Sequence, residues 1–599
     1  VVNDQATVRT VESRGDRVLL VGLLLLLALA VSLTPIRNYD FWWHLKTGSL
    51  ILSQHTVPRT DPFSFTAENA PWVDHEWLSQ VLLDAGFSLF GPAGLIVLKS
   101  LLVCGLCLLL LSHVRREGHG PAGASLLLAA ALVGASFRLD VRPELATLLL
   151  LPLVIDLVLR GRATGDPRPL ILVPPLVALG SNLHPGAVLA PVLLGAGVVT
   201  TLAMERLAIF AGDRPAGPRP SFAPRLLLVA VAASIAACAN PYGYRIYTVP
   251  FEVRRLLASL PSPNLEWTRP GVQDFPLFWL AAAAASAVVL AGWRRFDPIA
   301  TPALFIAAIL AAAHLRNIGL FFVLLPFGLA RPARAIALGI ERLWRRALPA
   351  APGGVRPGFV IAGVVLLCAV PALSVLPPAF AWGLGPAPGN EPRPAVDFVE
   401  REGIGQRLYN DVRFGGYLIW RRFPGHKVFI DGRNEIYPGL LREVFLSLGD
   451  SRTWETFLER YRIDAAFLRY SPALERVIRP GPDGRPAGVV ERAFSVNHFP
   501  REAWALVYWD DDAMIVVRRS DENGAVIARH EYRAVHPEDW RYLYAGVMTG
   551  HLPVEPILGE LERKVRDDPG CVLARSLLST FSRLAGRPDA SPDKGLVNR

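Results

Sequence analysis

The chain is short of charge, of lysine and of cysteine. Of its 599 residues 19% are charged and 52% hydrophobic, against about 25% charged in an ordinary soluble protein. That shortage excludes an average soluble domain and points to an integral membrane protein with some soluble mass. Five cysteines make no disulfide framework, because Cys104, Cys107, Cys238 and Cys368 lie inside apolar runs and Cys571 stands alone. Lysine occurs only at 46, 99, 427, 564 and 594, so arginine supplies nearly all of the positive charge. The net charge of +10 does not imply a nucleic-acid partner, since the arginines cluster in short loops between apolar runs. Several site signatures are also missing. Gly415-Gly416 sits in neither GxxxxGK[ST] nor GxGxxG, and Ser79 stands where a zinc protease built on His75-Glu76 needs a second histidine.

What is present is a series of apolar runs. A bilayer core of about 30 Å takes roughly 20 apolar residues per helix, and by that measure about eleven spans are expected. They fall near 17–36, 93–113, 122–137, 142–159, 168–182, 185–206, 223–239, 274–293, 298–313, 315–330 and 357–377. The first has no small-residue cleavage pattern after it and reads as an uncleaved span. Arginine-rich loops favour the cytoplasm. With residues 1–16 inside, the segments at 115, 160, 205–225, 293 and 331–356 are also inside and all are arginine-rich. The expected organisation is a cytoplasmic N-terminus (1–16), a transmembrane domain (17–378) whose first outer loop spans 37–92, a soluble extracytoplasmic α/β domain (390–520), a helical tail (530–586) and a disordered end (587–599).

The opposite face collects the unusual polar residues. The first outer loop carries Asp40, His44, His55, Asp61, Asp74, His75 and Glu76 among Trp42, Trp43, Trp72 and Trp77. Later outer turns add Arg138, Asp140, Arg142 and Glu144, then Asn182 and His184, then Asn240, Tyr242 and Arg245, then Asn264 and Glu266, and finally His314, Arg316 and Asn317. Any one cluster reads as a helix cap or a snorkelling end. Five on one face, beside an acidic loop, read as a site, because polar groups at membrane depth face a cavity or a bundle interior. Guanidinium pairs bidentately with phosphate oxygens, so Arg138, Arg142, Arg245 and Arg316 are the phosphate candidates. Their plainer reading is contact with lipid headgroups. Trp42, Trp43 and Trp77 are expected to be interface anchors.

From about 391 the composition is that of a soluble domain. Residues 407–410 read as extended, 417–422 as helical, 428–431 as a short buried strand, 439–461 as helical and 465–469 as a strand. A hairpin is expected to turn on Asp510-Asp511-Asp512, a run that suits either solvation or a cation. NDVRFGG and IDGR suit either an acceptor contact or a structural turn.

The strings DFWWHLKTG, DPFSFT, HEWLSQ, RPEL, NLHPG, NPYGYRIY, HLRN and YNDVRFGGYLIW…KVFIDGR, spread over 38–470, resemble a bacterial branch of the GT-C superfamily. These are polytopic membrane glycosyltransferases that use polyprenyl-phosphate-linked sugars. The resemblance implies a mainly helical membrane bundle with a C-terminal soluble domain, lying in the cytoplasmic membrane. It also implies transfer of a sugar from a polyprenyl-phosphate donor to a glycan, lipid or protein acceptor on the outer face, with inversion. Asp40 occupies the place of the general base. Asp61, His75 and Glu76 are left to orient it, to bind the acceptor or to hold a divalent cation, Mg or Mn. His44, Asn182, His184, Asn240, Glu266 and His314 complete the expected pocket. Phe41 follows Asp40, so the acidic pair of a metal-binding DxD motif is missing there. Two other classes fit the sequence: a transporter or flippase of a lipid-linked or anionic solute, and a non-catalytic GT-C-like scaffold.

Overall fold

The computed structural model describes residues 14–206, 221–259, 265–347, 357–372, 381–449, 451–480 and 486–587. Most of the expected N-terminal segment 1–16, much of the 205–225 loop, Asn264 and nearly all of 587–599 lie outside the described residues. The protein is mainly helical, and each of the expected spans falls on a helix. Among the described residues five helical stretches are long and apolar enough to cross a membrane: Arg14–Ser32, Trp77–Arg116, Pro121–Arg138, Pro185–Arg206 and Leu315–Gly339. Arg168–Leu183, Ala223–Ala236, Pro276–Ala291 and Ala300–Ala313 are shorter apolar helices. Their outward faces carry leucines such as Leu26, Leu101 and Leu228, while Leu24, Leu110, Leu128, Val158, Leu194 and Phe321 pack inside.

The helix Trp77–Arg116 is really two. At Gly91 the backbone turns to φ 63°, ψ −172°, and Pro92 follows. A side chain at 91 would resist this left-handed conformation, and proline cannot donate to the preceding turn. Residues 77–90 therefore finish the segment that follows the first apolar helix, and 92–116 enter the bundle.

The ends of the bundle differ in kind. At one end the arginine-rich loops are tied together by ion pairs. Asp156, fully buried, is ion-paired to Arg160 Nε at 2.6 Å and accepts a hydrogen bond from Arg116. Asp297 is held by Arg162 at 3.1 Å and Arg331 at 2.8 Å, and Glu117 takes Arg331 Nε at 2.9 Å. Asp156, an acid within the expected span 142–159, is thus paired with two arginines.

The C-terminal part forms a four-stranded sheet. Its strands are β1 (Leu408–Asn410), β2 (Ala465–Arg469), β5 (Trp504–Trp509) and β6 (Ala513–Arg518), in the order β1-β2-β6-β5. β1 and β2 are parallel, and the other pairs are antiparallel. A separate hairpin, β3 (Leu474–Pro480) with β4 (Pro486–Ala493), was not foreseen. The expected strand at 428–431 is extended but belongs to no sheet. Val428 instead bridges to Ser64, donating to Phe63 O at 2.9 Å and accepting from Phe65 N at 3.1 Å, so its backbone partners come from the first outer loop. The aspartates of the β5–β6 turn are caps rather than a cation site. Asp510 accepts from the backbone of Asp512 and Ala513, and Asp511 accepts from Val572 N at 2.9 Å and Leu573 N at 2.6 Å, docking the tail helix Val572–Leu584.

The first outer loop and the C-terminal part share one apolar core. Phe41, Trp42, Phe63 and Trp72 are buried with Tyr417, Ile419, Phe429 and Tyr437. Trp42 lies edge-on to Tyr417 and tilted on Trp420, with centroids 5.0 and 4.7 Å apart, and its Nε1 donates to Asn390 O at 3.0 Å. The expectation that Trp42 and Trp43 anchor at the lipid interface is thus corrected. Their indole N–H groups find partners inside the protein, and both rings are buried. Trp77 likewise donates inward, to Asn182.

Candidate active site

Asp40 stands at the N-terminus of the helix Phe41–Gln54, yet its side chain caps no backbone N–H there. It accepts instead from Trp43 Nε1 at 3.0 Å, and its own N–H donates to Asn38 Oδ1 at 3.1 Å. Burial pushes its proton affinity up to about 7, against the pull of the Trp43 hydrogen bond and of Arg142. Desolvation disfavours the charged form of a carboxyl group, and a value near 7 suits a group that must take a proton at neutral pH. One helical turn on, His44 is buried with its ring lying 3.7 Å from that of Trp43.

Glu76 is held from both sides. Before it, Asp74 N–H donates to Tyr242 Oη at 2.9 Å; after it, Trp77 Nε1 donates to Asn182 Oδ1 at 2.9 Å and Ser79 Oγ to Leu183 O at 2.7 Å. Three imidazoles surround its carboxylate: His44 Nε2 at 3.8 Å, His75 Nε2 at 4.0 Å and His184 Nε2 at 3.6 Å. His184 Nδ1 accepts from Gly186 N–H at 3.1 Å and meets Thr147 Oγ1 at 2.7 Å, which leaves the Nε2–H to face Glu76. Burial, with Arg142 near the first and Arg316 near the second, holds His44 and His184 well below the usual imidazole range. Burial raises Glu76 as well. A carboxyl group facing the neutral imidazoles of His44 and His184 is an adaptable hydrogen-bonding centre. Asp74 is a different case: burial pushes it up to about 8 and Gln80 Nε2 donates to it at 2.6 Å, which makes it a buried brace.

The arginines divide unequally. Arg138 donates to Glu266 at 2.9 Å and pairs with Glu144, while Arg142 reaches Glu266 at 3.1 Å and Glu144 at 3.4 Å. Glu266 is held ionised, well below the usual range, because Arg142 and Arg138 outweigh its burial. Arg316 has no ion pair among the described residues; it lies over the Trp267 ring at 4.7 Å. His314 Nδ1 meets Trp267 O at 2.8 Å and so fixes that platform. The charge of Arg142 acts on Asp40, His44, Glu76 and His184 alike, and that of Arg316 on Glu76, His184 and Glu266, which makes these groups one electrostatic neighbourhood.

Some expected residues lie elsewhere or do something else. Arg245 is exposed in the turn after the helix Ala223–Ala236 and joins none of these pairs. Asn240 caps its own turn, bonding Tyr242 N, Ala237 O and Gly243 O. Asp61 is buried, with its oxygens taken by Phe63 N, Ser64 N, Ser64 Oγ and Arg433 Nη2, the last at 2.8 Å. It anchors the loop and has no oxygen free for a substrate. Asp140 accepts from Arg37 N and Val141 N. Among the described residues no group of three or more His, Cys, Asp or Glu is arranged to hold a metal ion.

Sequence reasoning missed Glu435. Burial raises its carboxyl group against the pull of His75, and Glu76 feels its charge. It lies in the same turn as the IDGR string, about 360 residues from Glu76, and no spacing rule links the two segments. The one signal was that string's turn-rich polarity.

In its overall course the chain is similar to solved membrane proteins. It matches the oligosaccharyltransferase AglB from Archaeoglobus fulgidus, in complex with an inhibitory peptide and a dolichol-phosphate, over 92% of this chain and 86% of that one, with TM-score 0.51 and 10% identity. The apo form of an Archaeoglobus fulgidus oligosaccharyltransferase matches over 96% and 87%, with TM-score 0.51 and 10% identity. ArnT from Cupriavidus metallidurans bound to undecaprenyl phosphate matches over 85% and 99%, with TM-score 0.47 and 11% identity. No protein-family model and no curated protein matches the chain. The fold is similar to that of the Archaeoglobus fulgidus oligosaccharyltransferases.

Proposed function

We propose that this protein is a glycosyltransferase of the cytoplasmic membrane. It moves a sugar from a polyprenyl-phosphate-linked donor to an envelope acceptor on the outer face, with inversion at the anomeric carbon. The observation that carries the reading is Asp40. It is a carboxyl group raised to about 7 at the start of a helix, in the same electrostatic neighbourhood as Arg316, a guanidinium with no ion pair among the described residues. The lipid phosphates named with two of the similar structures are consistent with such a donor.

In this reading Asp40 takes the proton from the acceptor hydroxyl as its oxygen attacks the anomeric carbon. The bond from that carbon to the phosphate oxygen breaks on the opposite side, and its electron pair leaves on the phosphate. Arg316, backed by Arg142, meets the growing negative charge; preorganised cations aimed at developing charge are worth about 10²–10³ in rate. Glu76, steered by His184 and His44, is left to bind the acceptor or the sugar hydroxyls. The arginine-rich end of the bundle faces the cytoplasm, and the C-terminal part is extracytoplasmic.

The test uses purified full-length protein in nanodiscs, a panel of polyprenyl-phosphate sugars and envelope extracts as acceptors. Transfer by the native chain and its loss in Asp40→Asn, with the fold retained by circular dichroism, is the expected result. Equal transfer by the variant would remove Asp40 from the role of base.

A further inference from the structure

The turn from Asp431 to Tyr437 belongs to the C-terminal part, but its fixings lie in the first outer loop. Asp431 and Arg433 are fully or almost fully buried. The guanidinium of Arg433 donates to both Asp431 oxygens at 2.8 and 2.6 Å and is ion-paired to Asp61 at 2.8 Å, and Tyr437 Oη donates to Asp431 at 2.6 Å. The same guanidinium is enclosed by the rings of Trp72 at 4.6 Å, Phe63 at 5.0 Å and Trp43 at 5.8 Å, all from the first loop. Thr66 Oγ1 adds a hydrogen bond to Phe429 O at 2.5 Å. A buried ion pair of this kind contributes more to geometry than to net stability.

This clamp brings the backbone of Gly432 directly onto Asp40. A Cβ at position 432 would lie 1.7 Å from Asp40 Oδ1, 2.8 Å from its Cγ and 3.3 Å from the ring of Tyr39. A side chain there would force the Asp40 carboxylate to shift. The contact is with the carboxylate itself, so the absent side chain at 432 makes room for the one group on which the proposed chemistry turns. Seven residues further on, Gly439 has nothing within 4 Å of its Cβ position, so closeness is not a general property of the segment.

We infer that Gly432 is a positioning residue for Asp40, held in place by the Asp61–Arg433–Asp431 clamp, so that the C-terminal part forms one wall of the site. The consequence for catalysis rests on the proposed role of Asp40 as base; the seating of its carboxylate does not, and the two are read separately. With the clamp engaged, Asp40 Oδ1 is confined between Gly432 and the Trp43 indole, which fixes the direction from which an acceptor hydroxyl can approach. Near-attack geometry of this kind is lost with displacements of about 1 Å.

The experiment compares Gly432→Ala, Asp40→Ala, the double variant and Gly439→Ala, as full-length chains in nanodiscs. Thermal unfolding of the native chain, the two single variants at 432 and 40 and the double variant gives the coupling between those positions. The carboxyl band of Asp40, assigned by its loss in Asp40→Asn, is followed by pH-difference infrared spectroscopy. Gly432→Ala should move the Asp40 titration by at least one pH unit and lower transfer at least 100-fold with the donor KM changed less than 3-fold, and Gly439→Ala should do neither. Alanine at 432 should destabilise strongly when Asp40 is present and little when Asp40 is alanine. If the Gly432→Ala chain fails to fold alone, its recovery in the double variant demonstrates the same coupling. An unchanged Asp40 band, or equal destabilisation with and without the Asp40 carboxylate, would overturn the inference. A shifted band with undiminished transfer would uphold the seating and reject Asp40 as the base.

Discussion

The two ends of the helix bundle are built from the same residue types and use them differently. At the arginine-rich end Asp156, Asp297 and Glu117 each meet at least one of Arg116, Arg160, Arg162 and Arg331, and nothing charged in that set is left over. At the opposite end Glu144 and Glu266 satisfy Arg138 and Arg142, but among the described residues Arg316 meets an aromatic face and no acid, Glu76 meets imidazoles at 3.6–4.0 Å, and Asp40 meets an indole. Buried charge without a countercharge is costly unless something arrives to compensate it. The first end reads as a latch between loops and the second as a receptor for a ligand that brings its own phosphate and hydroxyls.

That contrast breaks most sharply at Asp40. Asp40→Asn should lower transfer about 10³-fold, within the range general-base catalysis supplies. It should leave thermal stability equal or higher at pH 8, because the amide keeps the Trp43 hydrogen bond without a desolvated charge. Next in size, Arg316→Ala should lower transfer about 10²-fold with little change in melting temperature. Arg331→Ala, at the latch, should do the reverse: about 1–3 kcal/mol of stability lost as a buried carboxylate loses a partner, with kcat retained. Equal effects of the two arginine variants on transfer would erase the distinction between the ends.

The pH dependence sharpens the same point. Asp40 must be ionised to take a proton, and its affinity is raised to about 7, so transfer should fall tenfold per unit below pH 7 and level off above it. For stability the sign is opposite. A carboxyl group whose folded-state affinity exceeds its unfolded value near 4 favours the folded state most at low pH, and that contribution is lost as pH rises from about 4 to 7. Thermal scans of the native chain and Asp40→Asn across that window should diverge in that direction. The smallest expected effect is at Arg245. Exposed and outside every ion pair of the cluster, it should change transfer less than twofold on substitution by alanine, although its sequence context matched that of Arg316.

The helices were legible because apolar runs of fixed length have one economical conformation in a bilayer, and the latch was legible as arginine-rich loops. Asp40 was legible from its place after the first run and from the strings that resemble GT-C proteins. The tryptophans were misread, because an indole suits a lipid headgroup and a protein core equally well, and the choice depends on which acceptor its N–H meets. Residues 428–431 carried a strand's pattern, and the pattern said nothing about whose backbone would pair with it.

The sequence by itself determined the membrane class, the helical framework, the separation of arginine-rich loops from polar turns, and the acidic first loop. Those follow from composition and local periodicity, which act within a few turns of chain. Only the tertiary structure decided that Asp61 is an anchor, that Arg316 has no ion pair among the described residues, that Glu76 sits among three imidazoles, and that Gly432 lies on Asp40. Each of these depends on segments up to about 390 residues apart meeting in one place. A hydrogen bond or steric contact across such a distance leaves no periodicity for a sequence reading to find.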